Sequence, residues 1–375
     1  MGEETRPAPG TGTAGLASAS PADPTSRAVA PGGCGCSRAS RAARRGRLVI
    51  VGLAVFAVLA AGASLLMGRY PIDPSQAVAL LVDQVVPLPQ TWTDQQATLF
   101  FNVRLPRILL ALMVGCCLAV AGAAYQGTFQ NPLVSPDILG ASQGAAFGAA
   151  VAILLGLGSV GVSLLAFAMA LFTVLLVLLI SARAKGNHMM VVVLAGVMVS
   201  SLFQAGVSYA KLVADPTDEL ADITYWLMGS LTGAKMASVA AVFPLMLAGC
   251  AVLFALRWRI NVLTMGDDEA ATLGVNARLI RVVVIVAATV VTAASVCVTG
   301  MIGWVGLVIP HLCRMMVGAD YRRLIPASML MGAGFLLVVD DVARLATTAE
   351  IPIGILTAFV GAPFFLFLIT RRKKL

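Results

Sequence analysis

Apolar runs of eighteen or more residues recur along this chain, and each is long enough to carry a helix across a bilayer. The first runs from Leu48 to Met67 and the last ends near Phe367. In hydrocarbon no water satisfies the backbone, so only helices or a closed barrel can span it. The runs are continuous rather than ten-residue alternating segments, which selects helices. Composition points the same way: of 375 residues, 59% are hydrophobic and 12% charged, where a soluble domain carries about 25% charged. The fold class expected is all-α, a polytopic membrane protein with about ten transmembrane helices and short helices in its cytoplasmic loops.

The spacing predicts spans at 47–67, 105–128, 138–157, 160–182, 189–211, 237–256, 279–299, 304–317, 324–345 and 353–370. The eighth is short and holds Pro310, as a half-span or broken helix would. Residues 1–45 are rich in Ala, Gly, Pro, Ser and Thr and end in SRASRAARRGR. They read as a disordered basic N-terminal tail, ahead of one membrane domain over 46–375. The run after the tail is too long for a signal-peptide core and reads as an uncleaved first span.

With the N-terminus inside, cytoplasmic segments hold twenty Lys and Arg against six outside. Both termini are therefore expected in the cytoplasm. This distribution accounts for the +8 net charge without nucleic acid. The outer loops are acidic instead, with Asp215, Asp218, Glu219 and Asp222 ahead of Tyr225 and Trp226, a pair suited to an interfacial belt. Five of the seven cysteines lie in apolar helices as small hydrophobes. Cys34 and Cys36 lie in the tail without further ligands at zinc-type spacing, and the chain has two His. No metal site is expected.

Several polar features interrupt the spans. Arg104-Leu105-Pro106-Arg107 opens the second, with two cations at a helix start where the dipole disfavours them; snorkelling to headgroups is one reading, an acid-recognising outer patch with Arg344 the other. Gly122, Gly127, Gly140, Gly144 and Gly148 offer small faces for close packing, which leaves Gln126, Gln130 and Asn131 less well explained. His311 and Arg314 follow Pro310 and read as structural. Asp340 and Arg344 lie four apart on one helix face and are expected to pair; the alternative makes the acid a proton relay. Ser200, Ser201, Gln204 and Ser208, with Met189 and Met190 below them, supply small and polar groups for a path through the fifth span.

The block MGDDEAATLGVNARL lies between two spans on the cytoplasmic side. Gly266 can break the chain before a short helix whose first turn carries Asp267, Asp268 and Glu269, favourable against the dipole. Ala270 and Leu273 continue it, and Gly274 can end it as the residue after the C-cap, ahead of Val275. The chain has no phosphate loop, no HExxH and no GxSxG. No catalytic residue is expected, and the energy for any work must come from a partner or an ion gradient. With a partner as the source, the block is where an external motor would grip; the alternative is an ordinary capped loop helix.

The stretches RLPRILLALMVGCCLAVAGAAYQG, NPLVSPDILGASQGAAFG, YWLMGSL, GDDEAATLGV, GMIGWVGLVIPHLCRMMVGADYRRLIP, DDVARL and EIPIGILTAFVGAPFFLFL, in this order, resemble the FecCD/BtuC-type permeases of iron-siderophore, haem and cobalamin ABC importers, over about Leu48 to the C-terminus. The resemblance implies ten helices per subunit, two permease copies (here a homodimer), two ATP-binding subunits and an extracytoplasmic substrate-binding protein. It assigns binding-protein docking to Arg104, Arg107 and Arg344, and ATPase coupling to Asn261–Ala277, hence to Gly266–Ala270 and Leu273–Val275. It implies no cofactor on this chain, with ATP and Mg on the partner. The substrate implied is a metal chelate, first a ferric siderophore, with cobalamin, haem and molybdate as alternatives and a proton-coupled secondary transporter as the distant rival. The location implied is the inner membrane of a prokaryote. Met189 and Met190 stand where relatives carry small polar residues, and Asp341 doubles a single acid.

Overall fold

The apolar runs fold as helices in this computed structural model, which describes residues 34–68, 70, 72–184 and 188–371. Two compact units are distinguished, Met1–Ala42 and Ala43–Leu375, and the membrane bundle lies in the second. The expected disordered tail lies outside the described residues up to position 33; from Cys34 the chain is helical.

The elements in order are α1 (Cys34–Leu66), α2 (Pro74–Asp83), α3 (Asp94–Leu99), a π-helical turn (Phe100–Arg104) leading into α4 (Leu105–Thr128), a 3-10 turn (Pro136–Leu139), α5 (Ala141–Leu154), α6 (Ser159–Arg183), α7 (His188–Val213), α8 (Glu219–Met228), α9 (Met236–Ala255), α10 (Arg257–Leu263), α11 (Asp267–Thr272), α12 (Ala277–Thr299), α13 (Val305–Val317), α14 (Tyr321–Leu345) and α15 (Ile353–Arg371). There is no strand among the described residues. Each of the ten expected spans has its helix. Seven are long and apolar enough to cross a membrane, and α5, α13 and the apolar part of α15 are shorter. The short span with Pro310 is α13, of 13 residues.

The core forms around α4, whose side chains are buried almost without break from Pro106 to Thr128. It is surrounded by α14, α12, α13 and α9. Close approach explains its glycines: a Cβ on Gly122 would fall on the backbone of Gly306 in α13, and one on Gly115 would lie 2.8 Å from the Gly332 carbonyl carbon and from Leu336 Cβ of α14. Real contacts need about 3.5–4.0 Å, so these helices touch backbone to backbone as small-residue membrane interfaces do.

The stretch between the first two spans, which the hydropathy leaves as a loop, forms α2, α3 and the π-helical turn among its described residues. Thr93 Oγ1 accepts from the Gln96 amide at 3.2 Å while Gln96 Oε1 accepts from the Thr93 amide at 2.9 Å, a reciprocal capping box that starts α3. Ile72, Ala77, Leu80 and Phe100 form a small core of their own beneath it.

Candidate functional site

One end of the bundle, expected to face outward, gathers the three arginines that the sequence singles out, but not as an exposed patch. Arg104, Arg107 and Arg344 are each buried. A charge at membrane depth needs partners, and each arginine has them. Arg107 Nε and Nη2 fork onto the Asp340 carboxylate at 2.9 and 2.8 Å, and its Nη1 reaches Glu350 at 2.9 Å. Arg344 takes Asp341 through Nε at 3.1 Å and donates to the Ser64 carbonyl at 2.9 Å, while the Ser64 hydroxyl donates to Asp341 at 2.7 Å. Arg104 donates to the carbonyls of Leu65, at 2.8 Å, and Tyr70. The expectation of an exposed patch is thus corrected: Leu65 and Ser64 of α1 lie on Arg104 and Arg344, and Arg107 is enclosed by Asp340 and Glu350.

The expected Asp340–Arg344 pair is corrected as well. Asp340 is claimed across the helix interface by Arg107, and Arg344 pairs with Asp341, three residues away. The doubled acid has a reason: two neighbouring carboxylates point about 100° apart on a helix and serve arginines on different sides. Glu350 and Ser64 belong to this cluster and were not anticipated. A count of charge would have found Glu350, since three buried arginines call for a third acid. Glu350 is also the member that water reaches, its side chain 30% exposed against 1% for Asp340. It accepts from Thr232 Oγ1 at 2.8 Å, tying the loop after α14 to the loop before α9.

At the other end, α11 has the bounds that its sequence suggests. Gly266, at φ 125°, is its N-cap residue. Its first turn carries Asp267, Asp268 and Glu269, all exposed. Gly274, at φ 73°, follows the C-cap. Its amide bonds to the Ala271 carbonyl at 3.0 Å and the Val275 amide to the Ala270 carbonyl at 2.9 Å. Those two bonds are the Schellman pattern, and buried Ala270 and Val275 supply its apolar contact. Left outward are Met265, Leu273 and the three acids. Arg281 of α12 forms an ion pair with Asp267, which holds the Asp267 carboxyl below the usual aspartate range.

The polar residues at the C-terminal end of α4 anchor this region. Gln130 donates to the Leu263 carbonyl of α10 at 2.7 Å. Gln126 accepts from Arg314 at 3.0 Å and donates to the Leu307 carbonyl at 3.4 Å. Asn261 accepts from the Tyr321 amide at 3.2 Å, fixing α10 to the start of α14. Asn131 closes its own turn by accepting from the Leu133 amide at 2.9 Å. Arg314 is structural in this arrangement.

The path residues divide. Ser201, Gln204 and Ser208 lie on one exposed face of α7, with Met190 exposed at its inner end. Ser201 and Ser208 bond to the carbonyls four residues back, at 2.9 and 3.0 Å. Ser200 is corrected: it turns inward, its hydroxyl against Gly140 and without a hydrogen-bond partner among the described residues. The Met189 side chain lies outside the described residues.

A family model described as the FecCD transport family matches residues 53–371. The molybdate import system permease protein MolB of Haemophilus influenzae is 40% identical over 326 residues, 87% of this chain and 96% of its own length. The cobalamin import system permease protein BtuC of Halobacterium salinarum is 42% identical over 296 residues, 79% of each chain. A solved structure described as an inward-facing conformation of a metal-chelate type ABC transporter superposes with a TM-score of 0.78 at 39% identity, covering 87% of this chain and 99% of that one.

Proposed function

This chain belongs to the FecCD transport family, and from that premise we propose that it carries a ferric siderophore across the inner membrane of a prokaryote with both termini in the cytoplasm. It is a multi-pass ABC importer permease and not an enzyme. Relatives named for molybdate, cobalamin and hemin keep oxyanion, corrinoid and haem cargo as alternatives within the same role. The work is divided among two copies of this chain, two ATP-binding subunits that hold ATP and Mg, and an extracytoplasmic binding protein. This chain itself holds no cofactor.

The observation that carries the reading is α11. A six-residue helix is too short to be stable alone. Here it is closed by a capping glycine at each end, pinned by Arg281, and presents Met265, Leu273 and the three acids outward. A surface of that kind fits a groove on a motor protein. Nucleotide-driven closure of the ATPase pair would press on α11 and α10. The hydrogen bonds of Gln130 and Asn261 would pass that push to α4 and α14. The exposed polar face of α7 with Ser201, Gln204 and Ser208 is the proposed path wall, opposite its copy in the second permease. Docking of the binding protein at Arg104, Arg107 and Arg344 now has a condition: its acids must compete with Glu350 for Arg107, because the other two acids on the arginines, Asp340 and Asp341, are buried.

The test is transport in vesicles reconstituted with the ATPase subunit and binding protein. Uptake should stop when ATP is depleted while a proton gradient is held. Uptake that continues on the gradient alone would sink the reading.

A further inference from the structure

We propose that an anionic phospholipid of the inner leaflet binds this chain in a cleft at the start of α12, its headgroup held by Arg278 and Arg281. The cleft is narrow, about 40 Å³, opens outward, and is lined by Phe129, Leu178, Val192, Arg278, Arg281, Val282 and Ile285. These residues come from the ends of α4 and α6 and the starts of α7 and α12, four ends that lie together on the side bearing α11.

The charges in it call for an anion. Two cations stand in the first turns of a 23-residue helix, at the positive end of its dipole, an unfavourable arrangement where nothing negative answers it. Asn276 caps one amide, that of Leu279. Arg278 is exposed and has no hydrogen-bond or ion partner among the described residues. Arg281 gives both terminal nitrogens to Asp267, yet its Nε is buried with no partner. One exposed carboxylate therefore answers two arginines.

The apolar surface around them selects a lipid over a soluble anion. Arg278, Val282 and Val286 repeat every four residues and so share one face of α12. Val282 and Val286 are 42% and 47% exposed, on a helix otherwise buried further along. Leu175 and Leu179 stand exposed four apart on α6, either side of the cleft residue Leu178. A headgroup at the arginines would lay its chains along these side chains, the pattern of basic pockets between spanning helices that hold anionic headgroups. Because Arg281 also holds Asp267, the lipid and α11 share one cation, and the lipid sets how firmly α11 is pinned.

The test needs neither cargo nor partner, so its failure is separate from failure of the transport reading. The purified full-length chain is titrated in detergent with palmitoyl-oleoyl phosphatidylglycerol or phosphatidylcholine, and retained lipid is counted by native mass spectrometry. At about fivefold per arginine, phosphatidylglycerol should be retained ~25-fold better. Arg278→Gln, which breaks no contact within the protein, should reduce that preference about fivefold; Arg281→Lys, which keeps the charge, should reduce it less. Equal retention of the two lipids, or an unchanged preference in Arg278→Gln, overturns the proposal. Complete displacement by excess inorganic phosphate would assign the arginines to a free anion, and displacement by stoichiometric ATPase subunit would assign them to a protein interface; each overturns it too.

Discussion

Replacing Asp340 with Asn keeps its shape and removes one charge from the outer cluster. Its carboxylate receives two parallel donors from Arg107, with 1% of the side chain exposed. An Asn carbonyl can face one of those N–H groups, and its amide then meets the other donor to donor. Removing one partner of a buried pair costs about 3–5 kcal/mol, chiefly because the remaining charge stays buried. Glu350 still holds Arg107 Nη1, so the expected loss is at the low end, about 3 kcal/mol or ~100-fold in the folding equilibrium. The assay is equilibrium unfolding in mixed micelles, run as a double-mutant cycle with Arg107→Gln. Both single variants should lose stability, and the double variant should lose less than their sum by about 1–3 kcal/mol. Additive losses, or an Asp340→Asn protein as stable as the parent, would refute the reasoning. A stable Asp340→Asn protein that no longer transports would go further and make the carboxylate a proton carrier.

The remaining predictions concern packing and α11. Gly115→Ala sets a methyl against the Gly332 backbone and Leu336 and should destabilise the same unfolding transition by about 1–3 kcal/mol, with Gly62→Ala, where open space surrounds the Cβ, as the silent control. Gly274→Pro cannot adopt φ 73° and removes the amide bond to Ala271; ATPase stimulation by the assembled importer should fall while helix content by circular dichroism stays constant. The depressed Asp267 carboxyl makes the α11–α12 pair acid-sensitive. Its contribution is complete above the ordinary aspartate value of about 3.9 and is lost as pH falls through the lower folded value. The pair is exposed on the Asp267 side, so the effect is below ~1 kcal/mol, and Asp267→Asn should abolish that acid-range change in proteolysis of the 264–276 loop.

Legibility in the sequence depended on which interactions are local. Ten apolar runs located ten helices because burial in lipid is a property of a run. Gly266 and Gly274 bounded α11 because caps are read within a few residues. The stretch between the first two spans was legible too, in Thr93 and Gln96 three apart, but its helices are short and half-polar, so hydropathy passed over them. Interactions between helices were not legible. Asp340 and Arg344 share a face, yet the partner that decides the pairing, Arg107, lies 233 residues away. Ser200 and Ser201 look alike in sequence; they point about 100° apart on the helix, and which of them faces inward depends on the neighbour at Gly140.

The same cluster bears on what drives transport. A relay carboxylate must exchange its proton with water or cargo in turn. Asp340 has both oxygens on Arg107 and almost no exposure. Asp341 accepts from both Arg344 and the Ser64 hydroxyl on one oxygen, Oδ1. The intramembrane acids that would support a proton-coupled carrier are thus committed to neutralising arginines. With those two engaged, the exposed acids nearest to a place of work are those of α11, outside the spans, where they suit a protein surface better than a proton path.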